Sequence, residues 1–414
     1  MKVLIQALGS AGDTFPFIGV GKTLAERGHD VTLFANQVFE SDVTSAGLRF
    51  VEMGDADAYH DLAANPDVWD TRRGIELIFR AVVDHLEEAI DLMEPYLDDA
   101  DVMVNSSLGF AARVLRDIHP IPLVTAHLAP SLLRSIERLP RTEVMWVRDG
   151  FPRWTKNLWW RLGDLLIDRV IGPELNSVRA ERNLEPVTRV LDDWAVYSPD
   201  MTMGLFPDWF GPPQSDWRHP VKLTGFPMYD GGRGEGLESS LDEWLAAGPP
   251  PLVVTGGSAY YQGKEFFAAA ADACAALGLR AVFVTPNDDD FPDPTSDAVR
   301  RERFAPYSAL LPRSWALVSH GGVGTVAQGI AAGVPQLVAH INFDQKDNAS
   351  RLEDLGVGFG LPMAEFTSDG VTAIEQLAAM AGRADVEAYS DLIDGDLSRH
   401  RAADQIEVAA GYHR

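Results

Sequence analysis

The feature that most constrains the fold of this chain is an alternation of short apolar strands with helices, which occurs twice along the 414 residues. Residues 3–8 form an apolar strand, and residues 14–27 have the pattern of a helix that Gly28 is placed to end. Apolar strands separated by helices are typical of a parallel sheet that is covered on both faces. The first half is predicted to continue with a strand at 31–35, a short helix to Ala46, a strand at 48–52, a helix at 73–97 and strands at 101–105 and 121–126.

The second half of the chain repeats this alternation after a segment rich in proline. Residues 206–214 contain three prolines and one glycine, which predicts a linker and a domain boundary near residues 207–220. We therefore predict two Rossmann-like, doubly wound parallel-sheet domains at 1–212 and 213–384, which face each other across a cleft, and a helical tail at 385–414 that packs back on the first domain. The predicted strands of the second half are 251–255, 280–285, 315–319 and 336–339, with helices that begin at Gly263, Val323 and Asp344.

The charge of the chain limits its partners. Thirty-five Lys and Arg residues against 61 Asp and Glu residues give a net charge of −26, and such a surface repels nucleic-acid phosphates, so we expect no nucleic-acid partner. The single cysteine, Cys274, excludes a disulfide framework and a multi-thiolate metal site. No long apolar run occurs, and the apolar segment at the amino terminus is too short for a signal peptide, so we expect a cytoplasmic protein.

One loop of the second half has the composition of a phosphate-binding turn. Residues 319–325 read Ser-His-Gly-Gly-Val-Gly-Thr between a strand and a helix, so the backbone can approach a ligand and the helix amino terminus favours an anion. The spacing matches neither the dinucleotide-binding fingerprint nor the P-loop. A tight turn whose glycines serve only packing is the alternative, and the concentration of donors favours phosphate binding. The candidate phosphate ligands are His320, Gly321, Gly322, Gly324 and Thr325.

Two further loops follow the first predicted strand of each half. Gly257 and Ser258 lie just after the strand at 251–255 and offer donors to an anion. The loop at 9–14 places Asp13 at the start of a helix, where it is either a helix cap or a general base at the mouth of the cleft. The spacing alone favours neither role.

Residues 9–16 and 255–345 resemble the motifs of the family 1 glycosyltransferases, which have the two-domain GT-B architecture. The resemblance is closest to bacterial members of the rhamnosyltransferase B-chain type and to antibiotic and sterol glycosyltransferases. It implies that the first domain binds the acceptor and that the second domain binds the nucleotide sugar. Phe304, with Tyr307 beside it, stands where the family stacks an aromatic ring on the nucleobase. The resemblance assigns the diphosphate to His320, Gly322, Gly324, Thr325, Gly257 and Ser258, and the sugar hydroxyls to Asp344 and Gln345.

Departures from the family pattern concern the donor and the base. Gln328 stands where plant-type members carry a Glu that binds both ribose hydroxyls, which leaves UDP-sugars and dTDP-sugars both open as donors. Asp13 stands where plant-type members carry a His and antibiotic-type members carry an Asp, so the resemblance implies the general-base role. Plant-type members pair their His with an Asp in a His–Asp relay, and Asn105 stands where this Asp is expected.

The acceptor site is predicted from weaker signals. Residues 151–166 form the most aromatic and most basic window of the chain and predict an amphipathic helix. Such a helix packs its Trp side chains into the first domain, lines an acceptor pocket, or makes a weak peripheral contact with a membrane. The candidate acceptor-binding residues are Ser10, Asn105, His127 and Trp154, of which His127 fits a structural role equally well.

These observations predict an inverting glycosyltransferase. It moves a hexose or deoxyhexose from a UDP- or dTDP-sugar to a hydroxyl of a hydrophobic small molecule or lipid-like acceptor, with Asp13 as general base. No cofactor and no metal are expected. The acidic run at 288–290 is interpreted as a solvated loop, and the amino terminus of a helix stabilises the negative charge of the diphosphate. The nearest alternative is a sugar-nucleotide 2-epimerase or another non-transferring enzyme on the same fold. A dinucleotide-binding oxidoreductase and a catalytically silent sugar-nucleotide-binding protein are alternatives of other classes.

Overall fold

Two parallel sheets, one in each half of the chain, organise the protein. The computed structural model describes residues 1–231, 236–258, 263–291, 297–381 and 385–412. The first sheet has seven strands and the second has six, and neighbouring strands pair in parallel throughout both sheets. The predicted fold class, two doubly wound α/β domains, is therefore confirmed.

The first sheet has the strand order β3-β2-β1-β4-β5-β6-β7 and helices on both faces. Its strands are β1 (Lys2–Gln6), β2 (Asp30–Ala35), β3 (Arg49–Glu52), β4 (Val102–Asn105), β5 (Leu123–His127), β6 (Met201–Gly204) and β7 (Val221–Leu223). Its helices are α1 (Ala11–Glu26), α2 (Glu40–Ser45), α3 (Ala56–Ala64), α4 (Gly74–Asp84), α5 (Leu86–Met93), α6 (Phe110–Ile118) and α7 (Arg153–Glu181).

The second sheet has the order β10-β9-β8-β11-β12-β13. Its strands are β8 (Leu252–Thr255), β9 (Ala281–Val284), β10 (Val299–Glu302), β11 (Ala316–Ser319), β12 (Gln336–His340) and β13 (Gly358–Pro362). The helices of this half are α8 (Ser239–Ala246), α9 (Lys264–Leu277), α10 (Tyr307–Leu310), α11 (Val323–Ala331), α12 (Gln345–Leu355), α13 (Met363–Ser368) and α14 (Gly370–Ala381), and the tail contains α15 (Val386–Ser390) and α16 (Gly395–Ala409).

Burial on both faces explains why the strand sequences are apolar without interruption. Val3 and Ile5 of β1 point into the core beneath α1 and α16, whereas Leu4 between them points into the core on the opposite face. Each of these three side chains is fully buried. Because successive side chains of a strand point to opposite faces, a strand that is covered on both sides needs an apolar residue at every position.

The chain order reverses at one place in each sheet, and these places face the cleft. Strand β1 lies between β2 and β4, and β8 lies between β9 and β11. Ligands of doubly wound sheets bind outside the carboxyl ends of the strands at this reversal. The loops that follow β1, β8 and β11 are therefore the places where this fold positions a ligand.

The tail helix α16 returns to the first domain and packs against α1. Glu407 on α16 is 4% exposed, and its carboxylate contacts Arg27 Nη1 at 3.2 Å and His29 Nε2 at 2.8 Å. A carboxylate that is buried in this way requires charged or hydrogen-bonded partners. The tail is thus fixed to the domain that carries α1, and His29 has a structural role.

Helix α7 is the predicted Trp-rich helix, and it extends much further along the chain than the window at 151–166. Its carboxyl half is buried through Ile171 and Leu175, whereas Trp154 near its amino terminus is 68% exposed. Among the described residues, no helix combines the length and the apolar character that are needed to cross a bilayer.

Several elements differ from the predictions. The helix predicted at 73–97 is two helices, α4 and α5, because the chain leaves helical geometry at His85 (φ −105°). Strands β6, β7, β10 and β13 were not predicted. Three of them, β7, β10 and β13, lie at or near sheet edges and have few fully buried residues, so their sequences lack the apolar run of a central strand. Strand β7 belongs to the first sheet although it follows the predicted boundary at 212, so the first domain extends further along the chain. The predicted boundary at 384 lies outside the described residues.

Candidate active site

The site lies where two helix amino termini meet across the cleft. A Cβ built on Gly324 of α11 would lie 3.8 Å from the Cα of Gly12 on α1. The Ala11 N–H donates to Ser258 Oγ across the same gap at 3.3 Å. Helix α1 follows β1 at the reversal of the first sheet, and α11 follows β11 beside the reversal of the second sheet, so both amino termini point into the cleft. The first N–H groups of each helix have no partner within the helix, and they create a positive potential that favours an anion.

Asp13 is held at the amino terminus of α1 by its own loop. Its Oδ2 accepts hydrogen bonds from the Ser10 N–H at 2.8 Å and from the Ser10 hydroxyl at 2.9 Å. Gly9 has a φ of +127°, and a Cβ on this residue would lie 2.5 Å from the same carboxylate oxygen, so the loop requires glycine there. Burial raises the pKa of Asp13, while the Ser10 hydrogen bonds oppose the rise. Asp13 is therefore part of a helix cap, and its neighbours Ala11 and Gly12 line the cavity described below.

Asp344 faces Asp13 from the second domain. Burial raises the pKa of Asp344 to about 6, and the negative charge of Asp13 adds to the rise. Asn348 Nδ2 donates to Asp344 Oδ2 at 2.8 Å and to the Gly321 carbonyl at 3.0 Å, so one amide fixes both the carboxylate and the glycine turn. The charge of Asp13 thus acts on Asp344 from the first domain.

The glycine turn gives α11 an open amino terminus. Gly321 has a φ of +94°, and Gly322 is the residue that precedes the first turn of α11. The first backbone bond of the helix is donated by Val326 to the Gly322 carbonyl, which leaves the N–H groups of residues 323–325 directed at the cleft. Thr325 and Gly324 line the cavity described below. This arrangement is suited to phosphate oxygens.

His320 packs between two of the predicted glycines. A Cβ on Gly322 would lie 2.8 Å from His320 Nε2, and a Cβ on Gly257 would overlap the imidazole ring. Burial lowers the pKa of His320 to about 4, so the imidazole is neutral near pH 7. Its Nδ1 is buried without a hydrogen-bond partner. A neutral imidazole with an unsatisfied nitrogen at the edge of the turn is available to a ligand.

A cavity of about 300 Å³ extends from the helix amino termini between the domains. Phe304 lies in its wall, and Tyr307 beside it donates from its hydroxyl to Thr255 Oγ1 at 2.9 Å. Burial raises the pKa of Tyr307 to about 12, so the phenol keeps its proton. The predicted site residues that line this cavity are Gly257, Ser258, Phe304, Tyr307, Gly324, Thr325 and Gln328.

Part of the cavity wall consists of residues that were not predicted. Phe15, Phe39 and Tyr59 contribute an aromatic surface from the first domain, with ring centroids of Phe15 and Phe39 6.2 Å apart and those of Phe39 and Tyr59 6.0 Å apart. Asp230, which follows β7, accepts a hydrogen bond from Gln328 Nε2 at 2.6 Å and also lines the cavity. No motif marks these residues, and only the packing of the domains brings them together.

Some predicted residues serve the scaffold instead. Asn105 is 1% exposed and is occupied inside the first domain, where it accepts from Thr125 Oγ1 at 2.8 Å and donates to the Gly109 carbonyl at 3.0 Å. Gln345 uses its side-chain oxygen for the Ile341 N–H at 2.7 Å, which fixes its own loop.

His127 and Trp154 are also placed differently from the acceptor prediction. Burial lowers the pKa of His127 to about 4, and its ring contacts Ser107 Oγ at 2.9 Å and the Val196 carbonyl at 2.7 Å, which fits the structural role. Trp154 lies on an outer helix face and does not line the cavity. The helix at 288–290 carries Asp288 and Asp289 outwards, and within the described ranges no three His, Cys, Asp or Glu side chains are grouped to hold a metal ion.

Chemically, the site combines a carboxylate with an anion-binding turn across a narrow gap. A carboxylate at Asp13 can accept a proton, and the amino terminus of α11 can stabilise negative charge on a departing phosphate. This combination is suited to group transfer from a diphosphate ester.

Each half of the chain matches a known protein family. Residues 3–136 match the family described as the glycosyltransferase family 28 N-terminal domain. Residues 284–404 match the erythromycin biosynthesis protein CIII-like C-terminal domain.

Individual relatives extend the match over nearly the whole chain. An uncharacterised glycosyltransferase of Mycobacterium tuberculosis is 28% identical, with 90% of each chain covered. The O-mycaminosyltylonolide 6-deoxyallosyltransferase of Streptomyces fradiae is 27% identical, with 93% of this chain and 92% of that protein covered.

Solved structures share the fold. The calicheamicin glycosyltransferase CalG4 superposes with a TM-score of 0.69 at 21% identity, over 99% of this chain and 98% of that one. The Streptomyces sp. SF2575 glycosyltransferase SsfS6, complexed with thymidine diphosphate, has a TM-score of 0.64 at 18% identity, over 98% and 99% of the two chains. The chain therefore belongs to the antibiotic-type family 1 glycosyltransferases, which have the GT-B fold and use nucleotide sugars.

Proposed function

We propose that the protein is an inverting glycosyltransferase that moves a hexose or deoxyhexose from a dTDP- or UDP-sugar to a hydroxyl of a hydrophobic acceptor, with Asp13 as general base. The observation that carries this proposal is the place of Asp13 at the amino terminus of α1, where the Ala11 N–H donates to Ser258 Oγ of the second domain at 3.3 Å. The amino terminus of α11 borders the same gap, since a Cβ on Gly324 would lie 3.8 Å from the Cα of Gly12.

In the proposed reaction, the acceptor oxygen attacks the anomeric carbon from the side of the first domain. Its proton passes to Asp13 while the bond between the anomeric carbon and the diphosphate oxygen breaks, and the electron pair of that bond leaves with the diphosphate. Attack from the face opposite the leaving group inverts the anomeric configuration. The two hydrogen bonds from Ser10 keep the carboxylate oriented before the acceptor arrives.

The donor is assigned to the second domain. Phe304 stacks on the base, Thr325 and the N–H groups of residues 323–325 hold the diphosphate, and Asp344 orients the sugar. Negative charge grows on the departing diphosphate, so fixed N–H donors stabilise the transition state more than the ground state, and the proposal assigns this role to α11 and to no metal ion. The thymidine diphosphate complex of SsfS6 supports a dTDP-sugar as one donor to be tested.

The acceptor is assigned to the first-domain side of the cleft. The aromatic surface of Phe15, Phe39 and Tyr59 supports a hydrophobic ring system or lipid-like chain, because aromatic walls with few polar groups bind apolar ligands. The antibiotic glycosyltransferases among the relatives support a small-molecule acceptor of this kind.

We further propose that the exposed face of α7 makes a weak contact with an anionic membrane surface. This face consists of Trp154, Leu158, Leu162, Leu165 and Leu166, whose spacing places them on one side of the helix. Their side chains are 48–68% exposed. Together with Val144, Trp146 and Phe151 they provide eight of the fourteen large hydrophobic residues that are exposed in the described part of the chain, so the apolar surface is concentrated here.

Charge complementarity favours a bilayer as the partner of this face. Arg153, Arg161 and Arg169 are exposed around it, whereas Asp164 is buried and paired with Arg134 at 3.0 Å. A chain with a net charge of −26 is repelled by an anionic surface on average, so a face that carries arginines is better suited to approach one. Tryptophan and leucine then enter the headgroup region while arginine contacts lipid phosphates.

The substitution Asp13→Asn tests the general base. We expect kcat to fall by about 10²- to 10⁴-fold, while calorimetry gives an unchanged Kd for the nucleoside diphosphate, because the amide keeps the size of the side chain but cannot take the proton. The exposed Asp289→Asn serves as the matched control and should leave both values unchanged. A variant that loses stability in thermal unfolding but keeps the wild-type kcat would mean that Asp13 is only a cap.

The pair of carboxylates predicts a pH effect. Asp13 must be ionised to act as a base, so kcat/KM should fall as the pH drops below its pKa. The negative charge of Asp13 adds to the raised pKa of Asp344, and Asp344→Asn removes the group with the raised pKa. The folded protein should lose stability as the pH rises from 3.8 to about 6, because the pKa of Asp344 is raised over that range, and the variant should lack this loss. A variant with the same loss of stability over this pH range would contradict the raised pKa.

Sedimentation with lipid vesicles tests the membrane contact. The wild-type protein should bind vesicles that contain phosphatidylglycerol more strongly than vesicles of phosphatidylcholine alone, and added salt should weaken the binding. The double variant Leu165→Glu with Leu166→Glu should lose this binding, whereas the control Leu392→Glu, at a 57% exposed residue on the tail, should keep it. Unchanged vesicle binding, or a dimer in light scattering that only the double variant abolishes, would overturn the proposal.

A further inference from the structure

Gln328, the residue that departs from the plant-type pattern, is hydrogen-bonded to a carboxylate from a distant part of the chain. Its amide Nε2 donates to Asp230 Oδ1 at 2.6 Å. The other oxygen of Asp230 accepts from the Ser308 N–H at 3.3 Å, at the start of α10. Both Asp230 and Gln328 line the cavity that also contains Phe304 and Thr325.

This pair explains why an amide is present at position 328. An amide donates hydrogen bonds, whereas an ionised Glu only accepts them. A Glu at this position would place a second carboxylate at hydrogen-bond distance from Asp230, and two negative charges at that separation repel each other. Gln328 therefore allows a carboxylate from the segment after β7 to stand in the cavity wall.

The position of the pair along α11 indicates which part of the donor it meets. Thr325 lies in the first turn, where the diphosphate is proposed to bind, and Gln328 lies three residues later on the same side of the helix. Three residues correspond to a rise of about 4.5 Å. In a nucleoside diphosphate the ribose lies between the diphosphate and the base. The Asp230–Gln328 pair lines the same cavity as Phe304 and lies about one helical turn beyond Thr325 along α11.

We infer that Asp230 is the ribose-binding residue of this enzyme, with its carboxylate accepting a hydrogen bond from the 3′-hydroxyl of the donor nucleotide. Gln328 is a positioning residue that holds this carboxylate through its amide. The inference rests on the proposed function, because it takes a nucleoside diphosphate as the ligand of the cavity. It applies to dTDP- and UDP-sugars alike, since both carry a 3′-hydroxyl.

The pair also lines a second cavity. This cavity has a volume of about 390 Å³ and is lined by Tyr229, Ile393 and Arg399 together with Asp230 and Gln328. The Asp230 carboxylate is half-buried, and its two hydrogen bonds come from α10 and α11 of the second domain. Each oxygen of Asp230 accepts one of these hydrogen bonds and therefore has a lone pair left for a further donor.

Calorimetry with two nucleotides tests the inference. The wild-type protein should bind thymidine diphosphate about 10- to 100-fold more tightly than its 3′-deoxy analogue, because a hydrogen bond to a charged acceptor is lost in the analogue. Asp230→Ala should bind both nucleotides equally, with the affinity that the wild type has for the analogue. The ratio of the two Kd values cancels any loss of folded protein, so a partly unfolded variant still gives an answer. A preference for the 3′-hydroxyl that survives in Asp230→Ala would overturn the inference.

Exchange of the two side chains supplies the control. Gln328→Glu alone should weaken binding of thymidine diphosphate, because two carboxylates then face each other. The double variant Asp230→Asn with Gln328→Glu should restore binding and the 3′-hydroxyl preference, since one carboxylate and one amide are again present. A double variant no better than Gln328→Glu would also count against the pairing. Failure of the proposed function gives a different result, namely that the wild-type protein binds neither nucleotide.

Discussion

Two helix amino termini that face each other across a narrow gap determine the chemistry of this protein. Each carries roughly half a positive charge from its aligned peptide dipoles. A Cβ on Gly324 would lie 3.8 Å from the Cα of Gly12, so these two ends border one narrow space. Without an anion the ends repel each other, so the arrangement favours a negatively charged ligand between them. The carboxylates of Asp13 and Asp344 lie in the same field and partly offset it.

The fold produces this arrangement by using the same strand–loop–helix connection in both domains. Helix α1 follows the strand at which the first sheet reverses, and α11 follows a strand beside the reversal of the second sheet. Because both sheets present the carboxyl ends of these strands to the cleft, their loops oppose each other. Glycines are required where the loops come closest to functional groups, as at Gly9 beside the Asp13 carboxylate and at Gly257 beside the His320 ring.

Much of the site could be predicted from the sequence because its signals are local. The glycine turn at 321–324 and the loop at 9–14 each lie between an apolar strand and a helix, and that local pattern places them at the carboxyl edge of a parallel sheet. Asp13 and Thr325 could be singled out for this reason, whereas Phe304 and Gln328 were singled out by the resemblance to the family 1 glycosyltransferases. The roles of all four residues in binding and transfer stay predictions.

The remaining features depend on contacts between distant parts of the chain. Nothing near Asp230 in the sequence indicates that Gln328 holds it, because the two residues lie 98 positions apart. The exposure of Trp154 likewise depends on which half of α7 the first domain covers, and an amphipathic pattern cannot decide between a buried and an exposed apolar face. Strand β10, which reads Val-Arg-Arg-Glu, has too little apolar character to be distinguished from a loop until it pairs with β9.

The proposed chemistry requires the diphosphate to bind at the amino terminus of α11, across the gap from Asp13. A crystal structure with thymidine diphosphate bound would locate it. We expect phosphate oxygens within hydrogen-bond distance of the N–H groups of residues 323–325 and of Thr325 Oγ1, with the terminal phosphate on the side of Asp13. Density for the diphosphate elsewhere, with residues 323–325 making no contact to it, would rule out this binding mode.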